Sequence, residues 1–347
     1  LDHNPHLRQE ELTATEETAL TGADICFLAT SKSGLGHLRR SATIAARIRQ
    51  HSSRRMHLVS NAAPQGISAG DLSAFTSIHI LDRSRMAADL AIKGPKVMVL
   101  DTLTVPGITD LDAPLALVLR EAPANELHRF RLPGARPWDL AVIANPITHW
   151  MPSPSDLQAR QTEAVGWIYR RPGLRQAVAD RLPTVLVATG GGGTSETAAA
   201  LMAEIDPMIA WARQIAPPFQ VVQAIGPRAA TFGRLAGADR ILDPGPDLNT
   251  AFRDADIVIS TAGYNSVLEL ALTDTPTILM PIPRSIDDQV ARARLWGPQL
   301  GAWHDSAAPG LSALWLSHQI ATRQRRAPID LGPSGEDRAA RAILQLG

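Results

Sequence analysis

One cysteine, Cys26, stands in a chain of 347 residues, so no internal disulfide is available. That usage fits a reducing compartment, and the expected location is cytoplasmic. Net charge is also missing. Lys+Arg and Asp+Glu each number 34, which leaves no field to draw the chain onto nucleic acid. No apolar run approaches the roughly 18 residues that a membrane span needs, so no transmembrane segment is expected. The opening stretch LDHNPHLRQEELTATEETAL is polar and acidic, unlike a signal peptide, and lacks an initiating Met. Residues 1–21 read as a processed or trimmed lead-in with no assigned role. Ten histidines show no HExxH pairing, and neither a bound metal nor a cofactor is expected. Asp110-Leu-Asp112 and Asp254-Ala-Asp256 imitate a DxD metal motif, but neither follows a strand on its ligand side. Walker A, full GxGxxG, GxSxG and long-repeat signatures are absent as well.

What is present suits a globular enzyme. Hydrophobic residues make up 45% and charged residues 20%, enough to bury a sizeable core, and the length implies two domains. Asp24–Ala29 reads as a buried strand, SKSGLGH (Ser31–His37) as a glycine loop, residues 38–49 as a helix and Met56–Ser60 as the next strand. Glycines in such a βαβ unit let backbone approach a ligand, and the helix start favours anions. His37 sits at that start. The positive end of the helix dipole disfavours an imidazolium there, which leaves His37 able to accept a proton; a plain hydrogen bond to the loop backbone is the competing reading. Arg39 and Arg40 could meet phosphate, with a solvated helix face the stronger reading. Val97–Leu100 forms another buried strand that ends at Asp101, on the side where parallel sheets bind ligands. Asp101 is therefore a candidate to orient His37 or meet a substrate, or else a loop cap. Residues 104–124 carry apolar side chains among prolines. They allow peripheral contact with a membrane or lipid-linked acceptor, though ordinary packing is the stronger reading. Leu140–Ala144 is the last clear strand of this half.

Residues 166–183 read as an interdomain connection. Thr184–Ala188 is a buried strand followed by Gly190, Gly191, Gly192 and Gly193, then a helix capped by Thr194 or Ser195. Four glycines cost chain entropy, so the backbone there either approaches a diphosphate closely or works as a hinge. After strands at Phe219–Ala224 and Arg240–Leu242, residues 256–296 give strand, turn, helix, strand, loop and helix. Both loops of this unit, Thr261–Asn265 and Pro281–Gln289, fall at strand carboxyl ends and should border one ligand site. Ser266-Val-Leu-Glu269 also fits a capping box, and Asp287 could cap the helix that follows it. The last helix is expected over Glu336–Leu346.

AGYNSVLEL, TPTILMPIPR and DDQVARA together resemble the nucleotide-sugar half of GT-B glycosyltransferases. Within these they resemble the branch of the lipid II-forming N-acetylglucosaminyltransferase (MurG) and its uncharacterised relatives. SGLGHLRRSATIAARI resembles the glycine loop and helix that open the other half, without the doubled glycines of the lipid II enzyme. The resemblance implies two Rossmann-like α/β domains facing each other across a cleft. They would be an acceptor domain at 22–165 and a donor domain at 184–330, with residues 331–347 crossing back to the first. It implies inverting transfer from a nucleotide diphosphate sugar, first among them a UDP-sugar, to a lipid-linked or small hydroxyl acceptor. Donor contacts would come from Gly190–Gly193, Gly263, Ser266, Glu269, Asp288 and Gln289, with the nucleotide base near Leu242–Leu248. Glu269 would take the ribose hydroxyls, since a carboxylate accepts two hydrogen bonds from a vicinal diol. Ser33, Gly34 and Gly36 would form the acceptor or phosphate loop, with His37 and Asp101 doing acid–base work. Two alternatives stay open: a nucleotide-sugar hydrolase of the same fold, which shares a GxGHxxR start (here GLGHLRR), and a catalytically silent nucleotide-sugar-binding partner subunit.

Overall fold

The computed structural model describes residues 25–30, 35–61, 63–64, 66–91, 94–173, 175, 181–189, 195–226, 233–245, 247–284 and 286–347. The first half runs β1 (Ile25–Leu28), α1 (Gly36–His51), β2 (Met56–Ser60), α2 (Ala69–Leu72), β3 (Ser77–Ile80), α3 (Met86–Ala91) and β4 (Val97–Asp101). It continues through β5 (Leu115–Leu119), β6 (Leu140–Ile143), α4 (Pro154–Leu157) and β7 (Thr162–Ala164). The second half runs β8 (Thr184–Ala188), α5 (Ser195–Ile215), β9 (Gln220–Ala224), β10 (Arg240–Leu242), α6 (Leu248–Asp254), β11 (Ile257–Thr261) and α7 (Tyr264–Ala271). It ends with β12 (Thr277–Met280), α8 (Gln289–Leu300), β13 (Gly301–Trp303), α9 (Pro309–Thr322) and α10 (Glu336–Leu344).

The strands form two parallel sheets, ordered β3-β2-β1-β4-β5-β6-β7 and β10-β9-β8-β11-β12-β13. Their central strands are aliphatic on both faces, as a parallel sheet covered by helices on each side requires. ICFL, VMVLD, LALVL and IVIST are buried along their whole lengths. On α1, Leu38, Ala42, Ala45 and Ile48 recur at helical spacing and are all buried. Fully burying each of the two large side chains among them is worth about 1.5–3 kcal/mol.

Chain order reverses between β1 and β4 in the first sheet and between β8 and β11 in the second. Ligands of open α/β sheets bind beyond the strand ends at such reversals. The loops after β1, β4 and β11 therefore matter most here. The apolar run within residues 104–124 is settled as packing, because Leu115–Leu119 is an interior strand with every residue buried. No helix among the described residues is long and apolar enough to cross a membrane.

The two α/β units are joined through the connection between them and through the last helix. Trp167 in the connection lies 6.0 Å from the Tyr264 ring and 5.8 Å from that of Trp296, measured between centroids. Helix α10 returns to α1, where Asp337 accepts from Arg47 Nε at 2.9 Å and sits 2.7 Å from His51 Nε2.

Candidate functional site

His37, at the start of α1 after β1, and Asp101, at the end of β4, lie beyond the two strands that flank the reversal of the first sheet. His37 Nδ1 lies 2.6 Å from Asp101 Oδ1, although 64 positions separate them in sequence. Asp101 is fully buried. Burial opposes its charge, but Arg40 and His37 outweigh that penalty and hold its pKa at about 2. An ionised carboxylate only accepts, so His37 Nδ1 carries a proton, and in the neutral ring Nε2 then has the lone pair. This is the arrangement a general base needs.

Arg40 overturns the expectation of a solvated helix face. It is 4% exposed, and Nε and a terminal nitrogen fork onto the two Asp101 oxygens at 2.8 and 2.5 Å. The same terminal nitrogen reaches Thr102 Oγ1 at 3.1 Å. Thr102 adopts a left-handed φ of 67°, which turns the chain sharply just past β4. Arg39 is also drawn inward, and its guanidinium stands 3.9 Å from Glu269.

Glu269 lies on α7, opposite this dyad. The structure removes its capping-box reading: the helix starts at Tyr264 behind Gly263, so Ser266 is the third helical residue and caps nothing. Glu269 is 4% exposed, and burial pushes its carboxyl up despite Arg39 and Arg170, each 3.9 Å away. Asn249 on α6 turns its amide nitrogen toward both Glu269 oxygens, at 3.0 and 2.5 Å. With Arg39, Arg40, Arg170, Thr43 and Asn265, Glu269 lines a narrow recess. Here the two halves touch: Asn265 Nδ2 donates to the Gly36 carbonyl at 3.2 Å. A Cβ on Gly36 would meet that nitrogen at 3.1 Å, so glycine permits the close approach.

An ionic lattice closes the other flank. Arg292 on α8 donates to Glu121 at 2.6 Å, to the Ala262 carbonyl at 2.8 Å and to Asp287 at 2.8 Å. Arg120 meets Asp287 at 3.1 Å, and Asn145 donates to Glu121 at 2.7 Å. Burial works against Asp287, yet Arg120 and Arg292 hold its pKa at about 2. The helix cap belongs to Asp288, not Asp287: the exposed Asp288 accepts from Ala291 N at 2.9 Å. Gln289 is buried, its oxygen accepting from Ile282 N and its nitrogen donating to Asp287, both at 3.2 Å. Gly263 and Ser266 are half-buried at the start of α7.

The structure thus pairs His37 with Asp101, sets Gly36 against Asn265, and places Glu269 in a recess with Arg39, Arg40, Arg170 and Asn265, while Gly263 and Ser266 open α7 and Asp288 and Gln289 open α8. Ser33, Gly34 and Gly190 to Gly193 lie outside the described residues. Sequence reasoning passed over Asn249, Glu121 and Arg292, and it read Arg40 as a solvated face although its position one helical turn after His37 was a signal; Glu121 had none.

Two facing parallel α/β units with their reversals at one cleft invite comparison with known proteins. Residues 184–303, from β8 to the end of β13, match the sequence model of the Glycosyltransferase family 28 C-terminal domain. Curated relatives named UDP-N-acetylglucosamine--N-acetylmuramyl-(pentapeptide) pyrophosphoryl-undecaprenol N-acetylglucosamine transferase match over short stretches. The Granulibacter bethesdensis protein is 42% identical over 69 residues, 19% of this chain and 18% of its own. The Thermus thermophilus protein is 32% identical over 125 residues, 34% of this chain and 36% of its own. The chain therefore spans about a fifth to a third of these relatives' lengths. Solved structures align far more widely. Acinetobacter baumannii MurG superposes with a TM-score of 0.54 at 14% identity, covering 93% of this chain and 99% of that one. Os79 from O. sativa, solved in complex with UDP, gives 0.58 at 12%, covering 93% and 100%. The fold is GT-B.

Proposed function

We propose that this family 28-like chain is an inverting glycosyltransferase that moves a sugar from a UDP-sugar to a hydroxyl acceptor. The reading rests above all on the His37–Asp101 pair, which stands next to the Gly36–Asn265 contact where the two units meet. The second half would hold the donor. Glu269 would exchange its arginines for the ribose hydroxyls, while Gly263, Ser266 and the first amides of α7 meet the diphosphate. The four glycines Gly190–Gly193 would add backbone contacts to that diphosphate. Asp288 and Gln289 would border the sugar. Asp288 keeps one oxygen free of its cap, whereas Gln289 would have to release Ile282 or Asp287 to take part. The first half would hold the acceptor, with Ser33, Gly34 and Gly36 near it. As its oxygen attacks the anomeric carbon, its proton passes to His37 Nε2 and UDP leaves from the opposite face. Fixed amides and helix α7 stabilise the leaving charge.

UDP as donor nucleotide draws support from the names of the curated relatives and from the UDP held by Os79. Incubation with UDP-N-acetylglucosamine and no acceptor tests transfer against hydrolysis. UDP release is expected to stay below about 1 s⁻¹, the low end of ordinary turnover. Rapid conversion to free sugar would make the chain a hydrolase of the same fold.

A further inference from the structure

Beyond the dyad itself, the unusual feature of this cleft is the arginine behind it. Arg40 follows His37 by one helical turn, so both side chains leave the same face of α1 toward β4. Its guanidinium spans both oxygens of Asp101 and holds Thr102, whose hydroxyl donates to Asp101 Oδ1 at 3.0 Å. The flat face of the guanidinium lies 5.6 Å from the Tyr264 ring centroid, at the first residue of α7. Tyr264 in turn donates its hydroxyl to the Ala144 carbonyl of the first unit.

A buried carboxylate 2.6 Å from an imidazole has two ways to offset its charge. It can draw a proton onto the imidazole, which forms an ion pair and leaves no base, or it can be neutralised by another cation. Here the second cation is built in and hydrogen-bonds in bidentate fashion, a geometry that lysine cannot reproduce. We propose that Arg40 is the positioning residue of the pair: by neutralising and orienting Asp101, it leaves His37 with a free ring nitrogen for the acceptor. Its stacking on Tyr264 ties this arrangement to the seat of α7, where the donor diphosphate would bind. The inference rests on the transferase reading for its purpose, and on the geometry alone for its electrostatics.

Among the described residues, Asp101 faces His37 from β4, Arg40 stands beside Asp101 from the same helix as His37, and Tyr264 faces Arg40 from α7. Arg120 and Glu121, behind β5, act on Arg40 with opposite signs. Removing Arg40 should therefore strengthen the pull of Asp101 on a proton at His37.

NMR titration of the histidine ring protons in the full chain tests this, with the His37 signal assigned by its loss in His37→Ala. In Arg40→Met the His37 midpoint is expected to rise by about one pH unit or more, the usual effect of a neighbouring charge. In Asp101→Asn it should fall, and Arg40→Lys should lie between wild type and Arg40→Met. If Arg40→Met does not fold, Arg40→Gln carries the same expectation. A midpoint that stays within about 0.2 units of wild type in the folded Arg40 variant would overturn the inference, since a merely structural arginine moves stability and not titration. UDP binding on the same samples keeps the two claims apart. Binding with an unmoved midpoint sinks this inference alone, whereas a moved midpoint without binding leaves it standing and sinks the donor reading.

Discussion

Replacing His37 with alanine should lower kcat for UDP release from UDP-N-acetylglucosamine by about 10²–10⁴-fold, the range that positioned proton transfer contributes. The base is lost while the donor wall, formed by the second unit, keeps Glu269, Ser266 and the start of α7. The donor KM should therefore stay within about threefold of wild type. That split matters, because an interaction made only in the transition state lowers kcat and kcat/KM together. Equal loss in His37→Ala and His37→Gln would match a base. Full activity in either would return His37 to a structural hydrogen bond and remove it as the base.

Arg292→Leu should destabilise the fold by about 3 kcal/mol, because it takes from the half-buried Glu121 its principal cation and from Asp287 one of two. Its guanidinium side chain is 3% exposed and joins Glu121 of the first unit to Asp287 and Ala262 of the second. Removing Glu121 together with Arg292 should cost less than removing Arg292 alone, as the uncompensated charge is then smaller. Denaturant unfolding of the two variants gives the comparison; a loss under about 1 kcal/mol for Arg292→Leu would mean the lattice is well hydrated. The same lattice sets an acid limit. Asp101 and Asp287 each titrate near 2 in the folded chain, below their unfolded values. Depressed carboxyls stabilise the fold above their unfolded pKa and lose that contribution as pH falls toward the folded one. Unfolding on acidification is thus expected between about pH 4 and about pH 2, with roughly 2 kcal/mol from each group.

The strands at Met56–Ser60, Thr184–Ala188, Arg240–Leu242 and Thr277–Met280 follow the sequence reading residue for residue. Each is a compact apolar run set between polar or breaker residues, where burial and chain punctuation agree. β5 escaped because LALVL sits among prolines and aspartates that resemble a loop, although its neighbours in the sheet leave it no solvent face. β7 and β13 are three residues each, too short to show a period. At the site, local pattern singled out His37 and Asp101 through strand and helix ends, while the resemblance singled out Glu269. It failed where the answer depended on the opposite unit. Arg39 and Arg40 look like an exposed basic pair until the second unit covers them. Asp287 and Asp288 are chemically equivalent in sequence, and only backbone geometry decides which one caps α8.

Calorimetric titration of UDP into wild-type protein and Glu269→Ala, with GDP, dTDP and ADP as controls, tests the donor site most directly. Micromolar UDP binding that weakens tenfold or more in the variant is expected, a difference of about 1.4 kcal/mol. Because burial raises the Glu269 carboxyl, wild-type affinity should also decline on the acid side as that group protonates. Equal binding by variant and wild type, or no nucleotide binding at all, would contradict the assignment of Glu269 and of the cleft around it.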